Sequence, residues 1–181
     1  MNHIGDRIVI IGNSGSGKST LAMRLTRTRG LAHLDLDTLA WEPVMPPLRR
    51  PLGDSAREID AFAVTNPGWV IEGCYADLVT VVLPLCTLLI FLNPGVEACV
   101  QNARARPWEP HKYPSKAAQD ANLDTLISWV HEYGRRADVF SLAAHRSLYD
   151  GFDRDKIEFT SLEEAASWPN ARAALLPRDR H

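Results

Sequence analysis

The sequence predicts an α/β domain, a parallel sheet with helices on both of its faces. Three observations lead there. Short apolar runs alternate with helical patterns along the chain. The run Ile8–Ile11 (IVII) is branched aliphatic throughout, the pattern of a strand covered on both sides. The run CTLLIFL (Cys86 to Leu92) is equally uninterrupted, which places it near the middle of the sheet. The chain of 181 residues is read as one domain, 1–181, because it is long enough for one well-buried core and short for two.

The elements follow in order. Arg7 to Ile11 is the first strand. After the glycines, Leu21, Ala22 and Leu25 share a helical face, and Gly30 stands where a left-handed C-terminal residue belongs. LAHLDLD is a second short strand with carboxylates at its end. Pro43, Pro46, Pro47 and Pro51 mark a loop over residues 42 to 53. Ser55 with Glu58 reads as a capping box for a helix carrying Ile59, Phe62 and Ala63. Asn66-Pro67-Gly68 turns the chain into WVIEG, the third strand, and CTLLIFL is the fourth. Asn93-Pro94 then predicts a helix start, with Val96, Cys99, Val100 and Ala103 at helical spacing. Residues 107 to 135 form a helical excursion, proline-broken at first. Leu123, Leu126, Ile127, Val130 and Ala137 then predict one long helix or two meeting near Gly134. KIEFT (Lys156 to Thr160) is a fifth strand, and Ser161 with Glu164 is a second capping box. The last dozen residues carry no pattern and are expected to fray.

Composition narrows the function classes. A formal net charge of −2 supplies no global field for gripping nucleic acid, so a nucleic-acid partner is not expected. Cys74, Cys86 and Cys99 lack metal-ligand spacing and fit reduced thiols. The longest apolar stretch, Leu78 to Leu92, is too short for a membrane span and is broken by Pro84. No secretory signal is visible. The expectation is a cytoplasmic protein with no membrane partner.

Residues Gly12 to Ser19 (GNSGSGKS) match the phosphate-loop pattern G-x-x-x-x-G-K-[ST] without a mismatch. Glycines reach positive φ without penalty, so backbone N–H groups can turn inward around a di- or triphosphate. The following helix adds the positive end of its dipole. Gly12, Asn13, Ser14, Gly15, Ser16, Gly17, Lys18, Ser19 and Thr20 are therefore the predicted nucleotide-binding residues, with ATP and Mg²⁺ as cofactors. Lys18 would reach the β- and γ-phosphates, and Ser19 would hold the metal.

In open parallel sheets, ligands bind beyond the carboxyl ends of the strands. Asp35 and Asp37 lie at the end of the second strand. Two apart in extended chain, they would point to one side and divide the work. Asp35 would hold Mg²⁺ through water, and Asp37 would take the proton of an acceptor hydroxyl. The alternative is a solvated turn with Asp37 capping the next helix. Glu72, ending the third strand, is a candidate for substrate hydroxyls, for activating a water, or for the surroundings of the metal. Arg104 is a candidate for stabilising transferred charge, and Arg106, Arg135 and Arg136 are further candidates for a lid closing over the γ-phosphate. A basic helix end predicts some of the same residues. His33 reads as a core residue or one standing behind the site. Trp41, Trp108 and Trp129 read as core or lid packing, or as stacking partners for a ring.

With these residues in hand, the chain resembles the small P-loop kinases of the adenylate kinase and shikimate kinase type. Among them it is most similar to bacterial adenylate-kinase-like ATPases labelled DNA topology modulation proteins. The resemblance rests on IVIIGNSGSGKSTLA, HLDLDTLAWEP, WVIEGCY, LLIFLNP and WVHEYGRRADVFSLAAHRSLYDGF. It implies a five-stranded parallel sheet of order 2-3-1-4-5 with a mobile lid at about 107–135. It also matches Asp35 and Asp37 to the D-x-D of shikimate and gluconate kinases, with a Mg²⁺ role and a substrate-hydroxyl role. Cys74-Tyr75-Ala76 stands where adenylate kinases carry Phe-Pro-Arg, and the triple glycine of shikimate kinases is missing. The resemblance therefore implies neither a nucleoside-monophosphate acceptor nor shikimate. Transfer of the γ-phosphate of Mg·ATP to a small hydroxyl-bearing acceptor is expected. The alternative is a nucleotide-dependent regulatory ATPase without an acceptor, associated with nucleic acid.

Overall fold

The computed structural model describes residues 5–44, 46–110 and 113–168. The last dozen residues, expected to fray, lie outside that set. Strands β1 (Arg7–Gly12), β2 (Ala32–Asp35), β3 (Trp69–Gly73), β4 (Leu88–Leu92) and β5 (Asp155–Phe159) form one sheet in the order β2-β3-β1-β4-β5. Every neighbouring pair is parallel. The order is the one the resemblance to P-loop kinases implies. Helices α1 (Lys18–Arg29), α2 (Asp37–Ala40), α3 (Leu52–Thr65), α4 (Ala76–Val82), α5 (Val96–Ala105), α6 (Lys116–Ala121), α7 (Leu123–His131), α8 (Leu142–Gly151) and α9 (Leu162–Ser167) surround it.

The side-chain alternation of β1 explains its unbroken hydrophobicity. Ile8 and Ile10 pack with Leu21, Ala22 and Leu25 of α1, beside Val70, Ile90 and Phe159. Val9 and Ile11 face the opposite way, onto a larger core with Leu36, Ile59, Leu78, Val79, Val82 and Phe140. Each fully buried isoleucine stabilises the fold by about 1.5–3 kcal/mol relative to exposure. Both faces are thus closed, and the ligand-accessible part is left at the carboxyl edge of the strands. No helix among the described residues is long and apolar enough to cross a membrane.

Local signals held where nothing competed with them. Gly30 ends α1 with φ 68°, its N–H reaching the Thr26 carbonyl. Ser161 caps α9 by accepting from the Glu164 N–H at 3.1 Å, and Glu164 Oε2 accepts from the Thr160 N–H. Elsewhere tertiary partners prevailed. The helix assigned to a Ser55 cap begins earlier, at Leu52, after Pro51. Ser55 is fully buried and donates to the Leu39 carbonyl at 2.6 Å, while Glu58 pairs with Arg50. The helix expected at Asn93-Pro94 begins at Val96, after Gly95, because the Asn93 amide is drawn to Glu158 at 3.0 Å.

Helices α2, α4, α6 and α8 are additional to the elements read from the sequence. The long helix expected after residue 123 is α7 followed by a 3₁₀ turn, Glu132–Gly134. α7 does not project freely. Ile127 and Val130 pack on Cys99 and Val100 of α5, whereas α6 buries none of its residues.

Candidate active site

The glycine loop between β1 and α1 is built by backbone requirements. Gly12, Gly15 and Gly17 all have positive φ, at 151°, 79° and 92°. A Cβ on Gly15 would lie 2.3 Å from the Cys99 carbonyl oxygen, and one on Gly12 would lie 2.3 Å from that of Leu92. Asn13 organises the turn. Its carboxamide oxygen accepts from the Ser14 N–H at 2.8 Å, and its carbonyl accepts from the Ser16 N–H at 3.2 Å. Its amide donates to the Val130 carbonyl at 3.1 Å, tying the loop to α7. Asn102 adds a bond to the Gly15 carbonyl at 2.8 Å. No side chain caps the start of α1 and its first turn holds no acid, so its leading N–H groups and positive dipole end suit an anion.

The loop walls a cavity of about 940 Å³. Ser14 to Leu21 line one side, Asp37, Glu72, Gly73 and Cys74 a second, and Met23, Arg24, Arg27, Leu162 and Ala165 a third. The second side comes from β2 and β3, whose ends lie in register at Asp35 and Glu72. The expected extended Asp35–Asp37 arrangement is not what forms. The strand stops at Asp35, Leu36 turns helical (φ −65°, ψ −18°), and Asp37 opens α2. Asp35 Oδ1 then accepts from the Asp37 N–H at 2.9 Å. Asp35 caps the turn, and Asp37 is the member of the pair on the cavity wall.

Glu72 is 2% exposed, and its Oε1 has no hydrogen-bond partner; His33 Nε2 lies 3.6 Å from it. The Ser16 hydroxyl is also buried and unpartnered. These groups and the Ser19 hydroxyl line the same cavity, and each offers an oxygen of the kind Mg²⁺ takes. Among the described residues no three His, Cys, Asp or Glu side chains form a metal-binding group by themselves. Phosphate oxygens and water would have to complete the coordination.

The arginines separate. Arg106 lines the cavity and pairs with Glu109 at 3.1 Å. Arg104 lies instead along a small recess beside Tyr113 and Leu123. Arg135 is exposed and pairs with Glu132 at 3.6 Å. Arg136 lies over Trp129, 3.5 Å from its ring centre, near Asp138. None of these last three is on the cavity wall. Arg24 and Arg27 are, and sequence reasoning passed over them. Their spacing from Thr20 along one face of α1 was the available signal. Arg24 donates to the carbonyls of Ala165 and Ala166, joining α1 to α9.

Two further residues, Tyr75 and His145, shape the site without a sequence signal. Tyr75 donates from its hydroxyl to Asp37 Oδ1 at 2.6 Å and accepts from the indole N–H of Trp41 at 2.8 Å. His145, fully buried on α8, bonds the Cys74 carbonyl through Nε2 at 3.0 Å and the Tyr133 hydroxyl through Nδ1 at 2.6 Å. Burial lowers the His145 pKa to about 4, so the ring is neutral. Nε2–H then donates to Cys74 and Nδ1 accepts from Tyr133. Burial also pushes the Cys74 thiol up to about 12.

Among solved crystal structures, the chain is similar to an unliganded sugar kinase from a Janibacter species, with 16% identity, 91% of this chain and 94% of that one covered, and a TM-score of 0.48. It is also similar to a gluconokinase from Sinorhizobium meliloti, with 15% identity, 91% and 87% covered, and a TM-score of 0.44. A shikimate kinase from Bacteroides thetaiotaomicron shows 16% identity, 90% and 94% covered, and a TM-score of 0.49. No protein-family model and no curated protein matches the chain.

Proposed function

We propose that the chain is an ATP-dependent phosphotransferase acting on a hydroxyl of a small acceptor. One observation carries the reading: the Asp37 carboxylate and the phosphate loop wall the same cavity. The triphosphate lies in the loop, cradled by its N–H groups and by the start of α1. Lys18 leaves the Asn13 carbonyl, which it holds at 2.8 Å, and follows the β- and γ-phosphates. Ser19 would hold Mg²⁺ and Glu72 would accept from waters around it, while Asp35, off the cavity wall, sets the turn that presents Asp37. When bound, the ion neutralises phosphate charge.

Asp37 takes the proton of the acceptor hydroxyl as that oxygen bonds to the γ-phosphorus. The bond from phosphorus to the β–γ bridging oxygen breaks, and its electron pair leaves on ADP. Arg106, freed from Glu109, stabilises charge on the transferred group. Met23, Leu162 and Ala165 offer a base apolar contact on the third side of the cavity, where Arg24 and Arg27 add positive charge. A lid that closes over the site would move without α7, which is anchored through Val130 and Asn13.

The test is an ATP-consumption screen against sugars, hydroxy acids and nucleosides, with a no-acceptor control. Acceptor-dependent ADP formation that Asp37→Asn removes, with Mg·ATP binding retained, supports the reading. Hydrolysis indifferent to every acceptor and to Asp37→Asn assigns the chain to regulatory ATPase behaviour instead.

A further inference from the structure

Resting on the reading of Asp37 as base, we infer that Tyr75 is its positioning residue: the tyrosine hydroxyl fixes the rotation of the Asp37 carboxylate at the cavity wall. Asp37 stands on a helix of one turn, Asp37–Ala40, entered directly from the end of β2. So short a mount does little to set a side-chain torsion. The setting comes from Tyr75, which follows the end of β3 and opens α4. The Tyr75 hydroxyl has one proton, and it goes to Asp37 Oδ1 at 2.6 Å, the range of a charge-assisted bond. The indole N–H of Trp41, a donor only, fills a lone pair of the same oxygen at 2.8 Å. The direction of the chain is therefore set, Trp41 to Tyr75 to Asp37.

The ring is held as firmly as its hydroxyl. Phe140 meets it edge-on at 5.3 Å between ring centres, and the Arg49 guanidinium lies 5.0 Å from its centre. Arg49 is anchored in turn by Asp77 at 2.9 Å. Gly73 makes the approach possible, since a Cβ there would lie 2.9 Å from Leu36 Cβ and 3.1 Å from Tyr75 Cδ2. Burial raises the tyrosine pKa far above its usual value, so the hydroxyl is a donor throughout the working range. Tyr75 is 3% exposed and is not part of the cavity wall, so it acts on the reaction through Asp37.

The experiment reads the carboxylate directly and needs no acceptor. In ¹³C-labelled protein the Asp37 carboxylate resonance is assigned by its disappearance in Asp37→Asn. Tyr75→Phe, which keeps the ring and removes the hydroxyl, is expected to move that resonance while leaving Mg·ATP affinity unchanged by calorimetry. A resonance that stays in place overturns the inference. If Tyr75→Phe does not fold, Trp41→Phe carries the same test: a moved Asp37 resonance supports the chain of bonds, and an unmoved one overturns it. Rates supply the second readout, as ADP formation from Mg·ATP in a mixture of glycerol, glucose, gluconate and adenosine. Tyr75→Phe is expected to lower kcat about tenfold with KM for ATP unchanged. Wild-type kcat in Tyr75→Phe, where Asp37→Asn is inactive, overturns the inference. Full turnover in Asp37→Asn with a moved resonance removes Asp37 as base while leaving the tyrosine clamp in place, so the two failures are distinguishable.

Discussion

The ammonium group of Lys18 donates to the backbone carbonyl of Asn13 at 2.8 Å, folding the lysine back across its own loop. The loop thus satisfies its only lysine internally, and an incoming triphosphate must offer that cation more than one carbonyl does. It does, because bonds between ionised partners are about twice as strong as neutral ones. Lys18→Ala is expected to abolish stabilisation by nucleotide. At ATP about 100-fold above its Kd, bound nucleotide adds roughly 2.7 kcal/mol to the wild-type stability. A thermal melt with and without Mg·ATP measures it, and an undiminished shift in Lys18→Ala would remove the loop from nucleotide binding.

Asn13 joins that loop to α7 through the buried Val130 carbonyl. Asn13→Ala leaves that carbonyl and the Ser14 N–H without the side-chain partners they have now. Each of the two lost bonds contributes about 0.5–1.5 kcal/mol, about 1–3 kcal/mol for the pair. The variant is therefore expected to lose stability in that range and to bind Mg·ATP more weakly, since the loop is no longer preformed. Urea unfolding and calorimetry read the two effects separately. Wild-type values in both would mean that α7 does not brace the loop.

Gly15 and Gly134 separate conformational need from incidental glycine. Gly15 has φ 79°, and an added Cβ would fall 2.3 Å from the Cys99 carbonyl oxygen. Positive φ alone costs a non-glycine residue roughly 1–2 kcal/mol, and the contact with rigid backbone adds to it. Gly15→Ala is expected to lose more than about 2 kcal/mol and to lose Mg·ATP binding. Gly134 meets nothing within 4 Å and is not among the positive-φ glycines. Gly134→Ala is expected to stay within about 0.5 kcal/mol of wild type in the same unfolding assay.

These predictions divide between what sequence reveals and what only packing creates. The phosphate loop was readable because its demands are local: positive φ, inward N–H groups and one lysine within a few residues. The strand-end rule found Asp37 and Glu72 because topology alone puts those positions at the cavity. It could not show that the chain would turn helical at Leu36 and give Asp35 the capping role. Tyr75 and His145 were out of reach, since their partners lie 38 and 71 residues away. Helix α4 was missed because it packs against both α3 and α8, and a doubly covered helix is as apolar as a buried strand. At Ser55 and Asn93 a valid capping signal was present, and a distant partner (Leu39 or Glu158) took the side chain.

His145 makes the wall of the cavity sensitive to acid. Its ring is fully buried between the Tyr133 hydroxyl and the Cys74 carbonyl, and burial is the main cause of a pKa lowered from 6.5 to about 4. The Cys74 bond opposes that shift, and the nearby Lys18 charge adds to it. Above pH 6.5 the ring is neutral in both folded and unfolded chains, and its contribution is fully present. As the pH falls from 6.5 toward 4, the unfolded chain takes up a proton that the folded one refuses, so stability declines. The loss is about 2 kcal/mol by pH 5 and about 3 kcal/mol once both states are protonated. His145→Gln keeps an amide donor for the Cys74 carbonyl and cannot titrate. Urea midpoints measured from pH 7.5 to 4.5 are expected to fall more steeply for wild type than for the variant. Parallel curves would place the acid sensitivity on another group and leave the Tyr133–His145–Cys74 chain without a role in it.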